Sequence, residues 1–151
     1  GRPDMAMFLF TKAILEGKPI DVFNRGDMQR SFTYIDDIIE GVVKVIDNPS
    51  KINKNWDDKK PDPSSSKSCY KIYNIGNNRS IKLIDFIKAI EKSLNKRAEK
   101  NLLPMQKGDV KATIADCSDL EKDFAYKPET PVQVGVEHFV KWYKRFYEVG
   151  V

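Results

Sequence analysis

Apolar positions recur at helical spacing in five stretches of this chain and crowd into β-branched and aromatic runs in three more. Pro3 suits the first turn of a helix, and Asp4 to Glu16 carries Met5, Phe8, Leu9, Ala13 and Ile14 on one stripe before Gly17 ends it. IDVFN, with Ile20, Val22 and Phe23, reads as a short strand. Arg25–Asp27 (RGD) reads as a turn, and Arg30–Ile35 (RSFTYI) as a second strand. Asp36 or Asp37 is placed to cap a second helix whose stripe is Ile38, Ile39, Val42, Val43 and Ile46, ending before Asn48-Pro49. Tyr70–Gly76 (YKIYNIG) reads as a third strand entering a turn at Gly76-Asn77-Asn78, and Ser80 introduces a third helix with Leu83, Ile84, Ile87, Ile90 and Leu94 inward. The stretch LLPMQKGDVKATIAD is extended, with a turn at Lys107-Gly108-Asp109. A short helix follows from about Ser118 to Phe124, and a last one from about Pro131 to Tyr147 buries Val136, Phe139, Val140 and Tyr143.

Between the second helix and the third strand, residues 49–68 are poor in apolar side chains and rich in Pro, Ser, Lys and Asp. Such a segment cannot bury enough surface to order itself, which predicts a mobile insertion loop within one domain spanning 1–151. At 151 residues and 40% hydrophobic content the chain supports one modest core, and the pattern of elements predicts a small mixed α/β unit. No internal repeat is visible.

Charge narrows the function classes. The formal net charge of +4, from 26 Lys and Arg against 22 Asp and Glu, favours an anionic ligand. The cations are scattered among acids with no basic stripe interleaved with aromatics, which argues against nucleic acid. No run reaches membrane-spanning length and no signal sequence opens the chain, so the expectation is a cytoplasmic protein without a membrane partner. Cys69 and Cys117 stand apart with no CxxC and read as reduced thiols.

A catalytic set is hard to assemble. His138 lies in the terminal helix with no Cys or Ser and matching carboxylate around it. Asp36-Asp37 read better as helix-capping residues than as metal or acid–base groups, and Asp57-Asp58 with Lys59-Lys60 as a solvated face. There is no GxGxxG, P-loop or HExxH, and no metal-ligand set. The opening, GRPDMAMFLF, runs an Arg-Pro pair straight into a helix, which predicts that the chain continues from something upstream.

GRPDMA, RSFTYIDDIIEGVVKVID, YNIGNN before a helix, LLPMQKGDVKATIAD and the FVKWY helix resemble, in that order and over essentially the whole chain, the C-terminal half of a nucleotide-sugar epimerase. The superfamily is the extended short-chain dehydrogenase/reductases, and GRPDMA with LLPMQKGDV points to its UDP-glucuronate 4-epimerase branch. The resemblance implies the substrate-binding portion of such an enzyme, with the Rossmann half, its GxxGxxG loop for NAD and its YxxxK pair lying outside this sequence. A parent of this kind, a homodimer of carbohydrate metabolism, oxidises a UDP-sugar at carbon four with tightly held NAD and returns the hydride to the other face. This fragment alone would be inactive, and none of its own residues would be catalytic.

The resemblance also assigns a substrate-binding set. Arg30 matches the arginine that clamps the diphosphate, a task suited to a guanidinium fork. The amides of Asp4, Met5 and Ala6 fall at the first turn of a helix, whose positive end favours phosphate. Val22 and Phe23 match the strand along the uracil. Asp109 matches the carboxylate that accepts from the ribose hydroxyls, its alternative being an ordinary turn aspartate. Arg2 matches the arginine that reaches the sugar end and pairs with a hexuronate carboxylate, its alternative being a loop arginine held by a nearby acid. Two positions depart from the pattern. Gln106 stands where UDP-galactose epimerases carry a clamp arginine, and is counted as a polar contact. Ser31 stands where an aspartate usually follows Arg30. The competing classes are a related nucleotide-sugar decarboxylase or dehydratase, a non-catalytic nucleotide-binding module, and an interaction domain for an acidic partner.

Overall fold

In the computed structural model, which describes residues 3–149, the chain runs α1 (Ala6–Leu15), β1 (Ile20–Val22), a 3₁₀ turn (Phe23–Gly26), β2 (Gln29–Ser31), α2 (Ile35–Asp47), β3 (Ser80–Lys82), α3 (Leu83–Leu94), β4 (Lys100–Leu102), α4 (Ser118–Phe124) and α5 (Val132–Tyr147). The described residues group into two compact units. Residues 3–32, 79–113 and 130–149 form the first, and Thr33–Asn78 with Ile114–Glu129 the second.

The first unit is a three-helix layer on very short strands. Phe10 and Ile14 of α1, Ile20 and Val22 of β1, Phe86, Ile87, Ile90 and Leu94 of α3, and Val136 and Val140 of α5 make one core. Phe32 stacks on Phe86 with ring centroids 4.2 Å apart. β1 and β4 pair in parallel, Ile20 opposite Lys100 and Val22 opposite Leu102, while β2 and β3 pair antiparallel, Arg30 opposite Ile81. Under this layer Glu91 is only 6% exposed. It accepts from the Ala98 amide at 2.9 Å and the Lys100 ammonium at 2.7 Å, tying α3 to the turn that starts β4.

In the second unit Tyr126 and Leu120 are the most deeply buried side chains. The Tyr126 hydroxyl donates to the Asp37 carbonyl at 2.8 Å, and burial pushes its pKa up to about 12. Gly41 is the one fully buried position of α2, because a Cβ there would run into Ile75 and lie 3.1 Å from the Tyr126 ring. The Asp123 carboxylate receives the Lys71 ammonium at 2.6 Å and the Tyr73 hydroxyl at 2.7 Å, which latches the 70–75 segment to α4. These hydrogen bonds hold Asp123 below the usual carboxylate range.

All five helices form where the 3.6-residue period places them, and α4 has the predicted ends. The strands differ. The second is Gln29–Ser31 only, since the backbone turns into α2 at Ile35, and the helix is entered through Tyr34 with no side-chain cap. Asp36 and Asp37 are therefore first-turn residues favoured by the helix dipole, and neither is the N-cap. Ser80 belongs to β3, and α3 starts at Leu83. Phe23 leaves the strand for a 3₁₀ turn, in which Asn24 takes a left-handed conformation and its side-chain amide donates to the Asp27 carbonyl at 2.7 Å. Tyr70–Gly76 joins no ladder, apart from a single bridge between Ser65 and Lys71.

Residues 49–68 hold themselves together with polar contacts rather than apolar burial. The Asp62 carboxylate accepts from the Ser64 amide at 2.9 Å and from the Ser64 and Ser65 hydroxyls at 2.8 and 2.7 Å. The Trp56 indole donates to the Asp62 carbonyl at 3.0 Å. With so little buried apolar area the segment is expected to open locally far more often than the helices. Limited trypsin digestion should cut first after the exposed Lys54 or Lys59, Lys60 being followed by Pro61. A first cut within the helices instead would show that this network is the more stable part.

Candidate ligand-binding edge of the first unit

The residues singled out from sequence, Arg2 excepted, all fall in the first unit; Arg2 lies outside the described residues. Short connections decide where they gather. Ile20 donates to the Glu99 carbonyl at 2.8 Å and the Lys96 ammonium to the Leu15 carbonyl at 3.2 Å. The end of α1, the start of β1 and the start of β4 therefore share one end of the unit. The start of α1 and the C-terminal ends of the parallel pair β1 and β4 face the other, the position where α/β sheets collect ligands.

At that end Met5 occupies the N-cap position of α1 without a side-chain cap, and the first helical hydrogen bond runs from the Leu9 amide to the Met5 carbonyl at 3.1 Å. The amides of Ala6, Met7 and Phe8 precede the first residue able to bond inside the helix, and no acidic side chain stands in this turn. Asp4 is an exposed turn residue beside them. The Val22 side chain is fully buried in the core, and its carbonyl accepts from the Leu103 amide at 3.0 Å. Of the Val22-Phe23 pair only the half-buried Phe23 can present a side chain to a ligand.

The segment that follows β4 is strapped at both ends. The Arg25 amide donates to the Leu103 carbonyl at 3.0 Å, the Gln29 amide to the Lys111 carbonyl at 2.8 Å, and the Lys111 ammonium pairs with Asp27 at 2.7 Å. Between these straps residues 106–109 form a turn, closed by the Asp109 amide donating to the Gln106 carbonyl at 3.2 Å, with Gly108 at a φ of +89° that a side chain would strain. The Gln106 and Asp109 side chains are exposed on that turn. Half-buried Arg30 sits at its far strap. Its guanidinium donates through Nη1 to the Gln29 carbonyl at 2.8 Å and the Lys111 carbonyl at 3.3 Å, which fixes the arm while leaving other donors of the fork.

The structure thus brings Phe23, Arg30, Gln106 and Asp109 onto the 3₁₀ turn after β1, β2 and the strapped segment, with the open helix start of α1 at the same end. Sequence reading missed Lys111 and Asp27, which hold the strap. Their signal was the pair of charged turns NRGD and KGDVK. Cationic donors, a helix start and a carboxylate suit a ligand that is both anionic and rich in hydroxyls. Among the described residues the edge contains no nucleophile with an adjacent base, and His138 lies on the exposed face of α5. Among the described residues no group of three or more His, Cys, Asp or Glu could hold a metal ion, and no helix is long and apolar enough to cross a membrane.

Residues 1–76 match the model of the NAD dependent epimerase/dehydratase family. Protein CapI of Staphylococcus aureus is 50% identical over 148 residues, which cover 98% of this chain and 44% of that protein. A probable UDP-glucuronate 4-epimerase of Rhizobium meliloti is 40% identical, with 97% of this chain and 43% of the relative covered. The crystal structure of UDP-glucuronic acid 4-epimerase from Bacillus cereus in complex with UDP-glucuronic acid and NAD superposes with a TM-score of 0.76 at 32% identity, over 97% of this chain and 41% of that one. The chain spans a little under half the length of the curated relatives it matches here.

Proposed function

We propose, since this chain belongs to the NAD dependent epimerase/dehydratase family, that it is the UDP-sugar-holding portion of a nucleotide-sugar 4-epimerase that interconverts UDP-glucuronate and UDP-galacturonate. The observation that carries this reading is the 32% identity, together with the shared fold, to the Bacillus cereus enzyme across nearly the whole chain.

The chain's own residues do the work of recognition. Arg30 meets the diphosphate with the part of its fork not spent on carbonyls, and the open amides at the start of α1 add donors to the same anion. Phe23 offers a wall to the uracil, Asp109 accepts from ribose hydroxyls, Gln106 makes a polar contact, and Arg2 pairs with the sugar carboxylate. A neutral hexose would leave Arg2 without that partner, which is how the acid sugar is preferred.

NAD would accept and return the hydride at carbon four in the parent enzyme. This chain's residues do not fit a dinucleotide: its eight glycines stand singly, and none opens a glycine-rich turn between a strand and a helix. The cofactor, the proton-transfer groups and the dimer contacts belong in this reading to the rest of the polypeptide. The 151-residue chain by itself is accordingly expected to form no epimer from UDP-glucuronate and to release no NADH. Turnover by the purified chain comparable to that of the full gene product would overturn the division of labour. Within the family a decarboxylase or dehydratase is separated by its product, which would lose the carboxyl group or water.

A further inference from the structure

A run of aromatic rings reaches the surface of the first unit where α5 lies beside α1. Phe8 of α1 meets Phe139 edge to face with ring centroids 4.9 Å apart, Trp142 at 5.9 Å and Tyr143 at 6.1 Å. Along α5, Trp142 stacks on Phe146 at 5.2 Å, and Tyr147 lies 4.5 Å from Tyr143 and 5.0 Å from Phe146. Tyr143 is buried at the foot of this cluster, whereas Trp142, Tyr147 and Phe146 are 44%, 45% and 64% exposed. Single apolar side chains in water are ordinary, but three large rings packed edge against edge at the surface form a contiguous patch of the kind that marks a contact.

The charges beside the rings are mostly of one sign. By the 3.6-residue period His138, Arg145 and Lys141 follow Trp142 around α5 at about 40°, 60° and 100°, on the side away from Phe139, and all three are exposed. Lys12, also exposed, stands one turn beyond Phe8 on α1. The neighbouring acids do not cancel them. Glu16 is paired with Lys18 at 2.8 Å, Glu137 lies about 140° from Trp142 and accepts from Gln133, and Glu148 sits past the last turn at the C-cap of α5.

We propose that this face, Trp142, Phe146 and Tyr147 with Lys12, Lys141 and Arg145, docks on the surface of a membrane that contains anionic lipid. Charge complementarity selects that occupant. Indole and phenol rings lie at the headgroup level of a bilayer, a phenyl ring reaches the acyl boundary, and Lys and Arg beside them meet lipid phosphates. A second copy of the chain, joined patch to patch about a two-fold axis, would instead bring the same cations against one another. Such docking needs no helix long and apolar enough to span the bilayer, and there is none among the described residues. It departs from the expectation of a chain without a membrane partner, which rests only on the lack of a spanning run. None of the residues assigned to the UDP-sugar takes part, so the contact goes beyond the epimerase reading and does not depend on it.

The test is co-sedimentation of the full gene product, without nucleotide, with vesicles of phosphatidylcholine alone and of phosphatidylcholine mixed with an equal part of phosphatidylglycerol. Affinity for the anionic vesicles is expected to exceed that for the neutral ones by about tenfold or more and to fall as salt is added. Phe146→Glu, at the most exposed ring, should weaken binding by about tenfold or more with an unchanged melting curve. Arg145→Glu, on the exposed side of α5, should weaken it severalfold, and decides the point if Phe146→Glu lowers the melting midpoint. Lys60→Glu makes the same charge change on the insertion of the second unit and should bind as the wild type does. Absence of binding to anionic vesicles, or binding that survives both Phe146→Glu and Arg145→Glu, would overturn the proposal. So would equal losses for Lys60→Glu and Arg145→Glu, which would mean that overall charge alone attracts the protein. A sedimentation coefficient that rises with protein concentration and is reset by Phe146→Glu, without vesicle binding, would assign the face to a second copy and overturn it as well. No reading here uses UDP-glucuronate, so failure of the epimerase reading leaves these results standing, and their failure leaves that reading standing.

Discussion

Glu91→Ala is expected to lower the thermal unfolding midpoint of this chain by on the order of 10 °C, the shift that a loss of about 3–5 kcal/mol produces in a domain of this size. Glu91 is 6% exposed, and its carboxylate is the acceptor for both the Ala98 amide and the Lys100 ammonium. Alanine would leave the half-buried Ala98 amide without its acceptor and the Lys100 ammonium with the Ala98 carbonyl at 3.2 Å in place of a carboxylate. Burial pushes the carboxyl of Glu91 up, but the bonds from Lys100 and Ala98 outweigh it and the net direction is down. A carboxylate depressed on folding contributes stability that is present above its unfolded pKa, about 4.3, and is lost as pH falls through the folded value. The wild-type midpoint should therefore drop below about pH 4 more steeply than that of Glu91→Gln, which keeps an acceptor for Ala98 but gives up the charge. Differential scanning calorimetry of the three proteins between pH 3 and pH 7 checks both points. A shift of under about 2 °C for Glu91→Ala at pH 7 would mean that α3 and β4 are not held by this group.

Arg30→Ala in the full gene product is expected to weaken UDP-glucuronate, UDP-galacturonate and UDP itself alike, by roughly ten- to a hundredfold. That is the factor implied by losing a charge-assisted bond of about 1.5–3 kcal/mol. Arg2→Ala should cost a similar factor on the two acid sugars and leave UDP unchanged, because it is assigned to the carboxylate. Arg30 also holds the Gln29 and Lys111 carbonyls, so part of its effect is the set of the 103–113 segment. Arg30→Lys, which can still reach a carbonyl but offers no fork, should retain thermal stability better than binding. Titration calorimetry with UDP alongside a melting curve distinguishes the two contributions. Loss of stability with UDP affinity intact would remove Arg30 from the diphosphate.

The helices were legible because each carries its own apolar period, and even α4, seven residues long, begins and ends where Ser118 and Phe124 predict. Of the three-residue strands only β1 was read at its place, within IDVFN; β3 and the bounds of β2 were not, since no period can be read over so short a run, and β4 begins at Lys100 with little β-branched signal before it. Tyr70–Gly76 has the composition of a strand and pairs only through the single Ser65–Lys71 bridge, which makes it the clearest case of a local preference that tertiary context did not extend into a ladder. Ser80 looked like a helix cap, but opposite Ser31 it serves as a strand residue, its hydroxyl donating to the Gln29 side chain at 2.8 Å. At the site, the resemblance selected Arg30, Gln106 and Asp109, and the straps at Leu103 and Lys111 explain how residues so distant in sequence share one edge. Val22 illustrates the limit of such transfer: a buried side chain with its carbonyl engaged has little left to offer a ligand.

We propose that the polypeptide containing this chain epimerises an acid UDP-sugar at carbon four. Proton NMR of the full gene product with NAD and UDP-glucuronate, followed in parallel with UDP-glucose, tests it most directly. The UDP-galacturonate anomeric signal is expected to grow to an equilibrium mixture, with UDP-glucose converted at least tenfold more slowly, as the unpaired Arg2 would dictate. Faster conversion of UDP-glucose, or no new 4-epimer from UDP-glucuronate, would contradict it.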